Sequence, residues 1–429
     1  MTSNDSALGV PNQSVEGEES QPARSDAGYS RETVLLSCLG LLVLLLALTA
    51  FVSRMYHKKV HTLADQWFAN GEAEFRAGNP LEAAKDYRNA LVYSEGNTVF
   101  QFHLAEALTA ARTKATDEEA QSYLLNLLAE SPGSGEINLE LARISARQQS
   151  KASVQDALRY YNGAIYGVWS GDPLAQRWDA RRELCDYLLS HGMTAQAQPE
   201  TIALAQDVPQ DDLGRQKEAA VMLARADLWQ RALDEYRIIL ASHRRDPEAL
   251  AGAGLAAFHL AQYAQAVQYL DALPRAQRTM PDVSAPLALA HEVEAVSPFS
   301  ASLSRTERVR RTVEALAHAK ALAQSCSQQN GAPANSSATN SGKSGASANS
   351  GAAASIAEES PLQKLQTDLD QNSRAWKQLN FVRDPSQVDA AMNWVFQVEN
   401  AAAQACGQPQ NLMDRALLLV AKSRSGPDA

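Results

Sequence analysis

A pattern of four positions recurs along the chain between Trp67 and Pro274. A small residue is followed by alanine twelve positions later, by a bulky residue four positions further on, and then by an apolar or small residue after three more. Four copies keep these offsets: Gly71, Ala83, Tyr87 and Ala90; Cys185, Ala197, Thr201 and Leu204; Ala220, Ala232, Tyr236 and Ile239; and Gly254, Ala266, Leu270 and Leu273. Two copies have three extra residues in the first interval: Ala105, Ala120, Leu124 and Leu127; and Ala142, Ala157, Tyr161 and Ala164. A period of about 34 residues is typical of stacked helix–turn–helix repeats.

The four positions have different expected roles within each pair of helices. The small residue lies on the first helix and the alanine on the second, where a larger side chain would force the two helices apart. The tyrosines Tyr87, Tyr161 and Tyr236 are expected to fill the space toward the next unit. Only 6% of the residues are aromatic, and alanine and leucine are abundant, which favours helix throughout. We therefore predict an all-α fold.

The six copies resemble the tetratricopeptide repeat family, and the match covers residues 64–280. The tryptophan of that family is clear only at Trp67. The glycine that the family has in the turn between paired helices is present at two turns, as Gly78 and Gly192. At the other four turns it is replaced, by Arg112, Gln149, Asp227 and Ala261. The resemblance implies a right-handed α-solenoid whose first helices line a concave groove that binds peptides or helices. The layout also resembles single-pass, membrane-anchored bacterial proteins of this repeat family.

Helical spacing within the repeats directs one set of first-helix residues toward this groove. They are Phe68, Glu72, Phe75, Phe102, Glu106, Arg143, Arg147, Arg182, Lys217 and Arg225. The near end is expected to be apolar and acidic and the far end basic, which suits a peptide of mixed charge. The alternative is that these are solvated residues without a ligand. A clamp for chaperone tails is not expected, because Gln66 stands where such clamps carry a lysine, four residues before Asn70.

An uncharged run of 20 residues, Thr33 to Val52, precedes the repeats. A helix of this length reaches about 30 Å, which matches the apolar core of a bilayer. A cleaved signal peptide is the alternative, but signal peptides have shorter apolar cores behind a basic start. Here the preceding tail is acidic, so we predict a retained transmembrane helix over residues 33–53.

The orientation of this helix is left open by the sequence. Arg54, Lys58 and Lys59 follow the span and Arg24 and Arg31 precede it, which favours a cytoplasmic repeat domain by one charge. Long domains are nevertheless exported largely regardless of flanking charge. We expect a bacterial inner-membrane protein with a periplasmic repeat domain, and a cytoplasmic domain is the alternative.

Composition divides the chain into six segments. We expect a disordered acidic tail at 1–32, the span at 33–53, the repeats at 54–280, a divergent helix pair at 281–326, a flexible Ser/Ala/Asn/Gly linker at 327–360 and C-terminal helices at 361–424. The C-terminal piece is small for an independent core, so it either docks on the last repeats or joins two copies of the chain.

No pattern in the sequence indicates catalysis, a cofactor or a metal site. The four cysteines lack metal-binding spacing, and no two histidines form a zinc-binding pair on one helix. A net charge of −10 argues against nucleic-acid binding. Cys326 and Cys406 either form a disulfide that fastens the C-terminal helices or remain free thiols. The sequence thus predicts a membrane-anchored scaffold or assembly factor that binds another protein. The alternatives are a structural homo-oligomer and an enzyme with an unrecognised site.

Overall fold

The described part of the chain is helical throughout. The computed structural model describes residues 31–148, 150–209, 211–331 and 361–424. Within these ranges there are nineteen helices, and one isolated bridge joins Ser134 to Val168. The predicted all-α fold is therefore confirmed. The tail expected at 1–32 and the linker expected at 327–360 lie almost entirely outside the described residues. The chain forms two compact units, and the second begins at Leu128.

The first unit contains three helices and most of a fourth. Helices α1, α2, α3 and α4 span Arg31–Arg76, Pro80–Tyr93, Thr98–Ala111 and Lys114–Glu130. Helix α1 is 46 residues long and includes both the apolar run and the first helix of the first repeat. The boundary expected at residue 53 is therefore not a break in the helix. The physical reason is that residues 41–70 contain neither glycine nor proline.

The second helix of the first repeat buries the three positions that the pattern places on it. Ala83, Tyr87 and Ala90 are fully buried on α2. A Cβ atom added to Gly71 on α1 would lie 2.6 Å from Cε1 of Tyr87, so only glycine fits opposite this ring. Asn97 caps the start of α3, where its side chain accepts hydrogen bonds from the backbone N–H groups of Val99 and Phe100.

The second unit continues with four helix pairs, α5–α6, α7–α8, α9–α10 and α11–α12. These eight helices span Gly135–Arg147, Lys151–Tyr166, Pro173–Ser190, Thr194–Gln206, Leu213–Arg225, Trp229–Ser242, Pro247–His259 and Tyr263–Asp271. The alanines at the second position, Ala157, Ala197 and Ala232, are fully buried. A Cβ atom on Gly252 of α11 would lie 2.5 Å from Cε2 of Tyr236 on α10. Tyr236 thus packs toward the next pair, as expected.

Five turns between paired helices use a residue in the left-handed conformation. Gly78 and Gly192 have φ values of 81° and 69°. Arg112, Asp227 and Ala261, which replace the turn glycine, have φ values of 56°, 59° and 58°. The turn geometry is therefore kept where the glycine is lost, and these three residues bear the steric strain that glycine avoids.

The chain ends in helices that pack on the last repeats. Helices α13 to α19 span Arg275–Arg278, Pro281–Val296, Arg305–Gly331, Pro361–Asn372, Gln378–Arg383, Ser386–Cys406 and Leu412–Arg424. Helix α18 packs on α15, and α19 packs on α14. Apolar residues of α18 and α19 share one core with α9 to α12. Of the two alternatives for the C-terminal piece, the structure thus has the one in which this piece docks on the last repeats.

A turn separates the first two C-terminal helices. Helix α16 ends at Asn372, and α17 begins at Gln378. The side-chain amide of Asn380 donates hydrogen bonds to the backbone carbonyls of Arg374 and Ala375 in the intervening turn. This competition for backbone groups stabilises the turn against continued helix.

Candidate functional site

Helices α1, α2 and α3 of the first unit bring acidic and aromatic side chains together. We call Phe68, Glu72, Tyr87, His103 and Glu106 the acidic–aromatic cluster. His103 Nδ1 lies 3.4 Å from a carboxylate oxygen of Glu72 and 3.2 Å from one of Glu106. The Tyr87 hydroxyl donates a 2.7 Å hydrogen bond to Glu72. The side chains of His103 and the two glutamates are each about 30% exposed, so a ligand can reach them (28%, 31% and 30%).

Aromatic rings surround this charged centre. The ring of Phe68 stacks on Phe100 with centroids 4.6 Å apart and meets His103 edge-on at 5.2 Å. The ring of Phe102 also meets His103 edge-on, with centroids 5.7 Å apart. Phe75 is half-buried on α1, two helical turns beyond Phe68. Four of the residues predicted for this end of the groove, Phe68, Glu72, Phe102 and Glu106, thus lie around His103. The sequence prediction did not include His103, Tyr87 or Phe100.

The cluster has the chemistry of a site for cationic side chains. Burial first, and then the hydrogen bond to Glu72, raise the pKa of Tyr87, so its hydroxyl stays a donor at neutral pH. Two carboxylates beside partly exposed aromatic rings favour a lysine or arginine side chain, through charge and through attraction to the ring faces. The phenylalanine rings would pack against apolar atoms of the ligand that lie next to its cationic group.

The cations expected in the second unit are joined to acidic residues of neighbouring pairs. Glu183 on α7 receives two hydrogen bonds from the Arg143 guanidinium on α5, at 3.0 and 2.6 Å, and Glu140 receives a third at 2.5 Å. Burial opposes the charge of Arg143, but these carboxylates raise its pKa overall. Arg147 is exposed at the end of α5.

The same arrangement continues along the first helices of the next pairs. Asp186 on α7 contacts Arg182 at 3.1 Å and Arg225 of α9 at 2.5 Å. Lys217 on α9 contacts Asp246 at 2.6 Å and Glu248 at 2.9 Å. We call this series of contacts the ion-pair ladder. Its positive charges are balanced within the chain, so the expected basic character of the far end is largely offset.

The two cysteines singled out in the sequence come together. Cys326 near the end of α15 and Cys406 at the end of α18 have Cα atoms 6.0 Å apart and are positioned for a disulfide. Cys326 is buried. Cys185 is also buried, on α7, and Cys38 is exposed on α1. A bond between Cys326 and Cys406 would fasten α18 to α15.

One helix of the described residues is long and apolar enough to cross a membrane. It is α1, and its apolar window has a mean hydropathy of 2.8 with none of its surface buried in the protein. Leucines such as Leu35, Leu36 and Leu44 are more than 60% exposed (68%, 67% and 63%). Apolar exposure of this extent is compatible with a lipid environment.

No family model matches the chain, and no curated protein matches it. Among solved structures, the chain matches the TPR2AB domain of yeast Sti1 in complex with pHSP90, with 18% identity over 52% of this chain and 94% of that one. It also matches the TPR domain of P58(IPK), with 10% identity over 85% of this chain and 99% of that one. The TM-scores are low, at 0.22 and 0.26. The helix pairs described above support the repeat architecture by themselves.

Proposed function

We propose that this chain is a membrane-anchored scaffold or assembly factor that binds a segment of another protein. The apolar part of α1 anchors it in a bacterial inner membrane, and the first helices of the repeats bind the partner. The acidic–aromatic cluster is the observation that supports this proposal. Its two glutamates and the ring of Phe68 are partly exposed together, whereas a purely structural charge cluster would have no need of a partly exposed aromatic neighbour.

The cluster favours one class of partner segment. A helix or extended peptide with a lysine or arginine beside an apolar side chain matches Glu72, Glu106 and the ring of Phe68. The ion-pair ladder offers little free charge, so we assign it the role of fixing the spacing of the repeats. We therefore place the main contact in the first unit.

The cluster can be tested by cross-linking in membranes. A photoreactive amino acid at position 102 is expected to capture one recurrent protein through a segment that contains lysine or arginine. The double variant Glu72→Gln/Glu106→Gln is expected to lose this product. A matched variant, Glu82→Gln, changes an exposed carboxylate on α2 and is expected to retain it. Equal capture by all three chains would contradict the proposal.

The alternative of an oligomer joined by the C-terminal helices has less support. The apolar face of α18, including Met392 and Val395, is fully buried against helices of the same chain. Little apolar surface is therefore left there for a second copy. Cross-links that join only copies of this chain would nevertheless favour the oligomer over the scaffold.

We further propose that the repeats lie on the periplasmic side. The position of Cys326 opposite Cys406 supports this orientation, because disulfides persist in oxidising compartments. The bond would close a loop of 80 residues, and it would stabilise the docked C-terminal helices by roughly 4–5 kcal/mol on the loop-entropy model.

A further inference from the structure

Three titratable side chains meet where the C-terminal helices pack on α15. His318 lies on α15, Glu399 on α18 and Asp414 in the first turn of α19. One imidazole nitrogen and one oxygen from each carboxylate all lie within 4.8 Å of one another. Glu399 is 1% exposed and Asp414 is 7% exposed. The three residues are far apart in the sequence, which is why no motif indicated them.

One oxygen of the buried Glu399 carboxylate lacks a hydrogen-bond partner in this arrangement. Its Oε1 atom is buried and has no hydrogen-bond donor among the described residues. His318 Nε2 pairs with Asp414, and not with Glu399. An unpaired buried carboxylate is costly, so the arrangement calls for a cation between the two acids.

We infer that His318, Glu399 and Asp414 bind a divalent transition-metal ion of the zinc type. Zinc is bound by imidazole nitrogen and carboxylate oxygen in four-coordinate sites, whereas calcium and magnesium favour sites made of oxygen alone. Two carboxylates balance the charge of the ion. The His318 side chain is 25% exposed, so it offers a path for the ion and room for water as a fourth ligand.

The position of the ligands gives this ion a structural role. It would join α15, α18 and α19, which contribute one ligand each. Cys326 lies about two helical turns beyond His318 on α15, and Cys406 lies about two turns beyond Glu399 on α18. The ion and the cysteine pair would thus hold the same helices at two separate points. This inference does not depend on the proposed binding of a partner.

Zinc titration of the full chain in detergent tests the inference. The protein carries no oligohistidine tag, is stripped with a chelator and is kept oxidised. We expect one zinc per chain and a higher Tm with zinc, since an ion that binds the folded state stabilises it. Glu399→Gln keeps the shape of the side chain, and His318→Ala removes a ligand. Each is expected to weaken zinc binding by at least about 100-fold, because loss of a mere supporting contact already costs 10–100-fold.

Two matched variants exclude other sites. His103→Ala removes the histidine between the two glutamates of the acidic–aromatic cluster, and Cys326→Ser/Cys406→Ser removes the nearby thiols. Both are expected to bind one zinc like the unchanged protein. The inference is overturned if zinc neither binds nor raises the Tm of the unchanged chain. It is also overturned if Glu399→Gln and His318→Ala bind zinc normally, or if calcium or magnesium binds in preference to zinc.

Discussion

Replacing Gly252 with alanine tests the close approach between α10 and α11. The added Cβ atom would lie 2.5 and 2.6 Å from Cε2 and Cε1 of Tyr236, whereas carbon atoms in contact are about 3.5–4.0 Å apart. The ring must therefore move by about 1 Å. Tyr236 is 4% exposed, so little free space surrounds it. Overpacking of this kind costs about 1–3 kcal/mol.

A second effect acts in the opposite direction. Alanine is favoured over glycine inside a helix by about 1 kcal/mol. Because the displaced ring is aromatic and enclosed, we expect the cost of overpacking to exceed this gain, with a net loss of up to about 2 kcal/mol in the free energy of unfolding. In a chain that already carries Tyr236→Leu, the ring is absent, and Gly252→Ala is expected to be stabilising instead.

Urea unfolding of residues 54–429, followed by circular dichroism, measures this change. We expect this fragment to be soluble and mainly helical. Gly214→Ala is the control, because its Cβ atom would meet only Asp212 Oδ1 at 3.4 Å, an ordinary contact. The packing argument is refuted if Gly252→Ala is as stable as Gly214→Ala, or if Tyr236→Leu does not reverse the sign.

Three further predictions concern a turn, a charge pair and the cysteines. Ala261→Gly is expected to raise the free energy of unfolding by about 1 kcal/mol in the same assay, because it removes left-handed strain at φ 58°. Burial alone would raise the pKa of Asp246, but its lysine partner, Lys217, lowers this pKa below the usual value of 3.8. Its contribution to stability is thus present above pH 3.8 and lost as the pH falls through the lower folded value. Asp246→Asn keeps the helix cap and is expected to reduce the loss of Tm that accompanies a fall in pH from 5 to about 2. In intact cells, a membrane-impermeant thiol reagent is expected to label Cys326 and Cys406 only after reduction, whereas labelling that requires a broken inner membrane would place the repeats in the cytoplasm. Cys185 is not expected to label in the folded protein, because burial raises the pKa of its thiol to about 12.

The sequence predicted those features that depend on local spacing. The spacing between Gly71 and Tyr87 indicates one close approach between two helices. Because the same spacing recurs in other repeats, the sequence indicates this approach several times. The turn positions were also visible, because Arg112 and Ala261 stand where a glycine is expected. A short turn specifies its conformation largely through its own few residues.

Side-chain partners from different repeats were not predictable in the same way. Arg143 was identified as a cation, but its partner Glu183 lies 40 residues later, and the repeat pattern contains no acidic position. His103 was missed because its position is not one of the four that define the repeat. Glu399 and Asp414 meet His318 only through the packing of the last helices, which the periodicity does not describe.

The continuity of α1 fixes how far the first repeat stands from the proposed anchor. Phe68 follows Val52 by 16 residues, which is about 24 Å along a helix. A helix resists bending and keeps this distance nearly constant, whereas a flexible linker would allow a wide range of distances between the repeats and the bilayer. A partner anchored in the same membrane therefore needs at least about seven extended residues between its own anchor and its contact segment. Helix α1 would thus select partners by the length of the segment between their own membrane anchor and their contact segment.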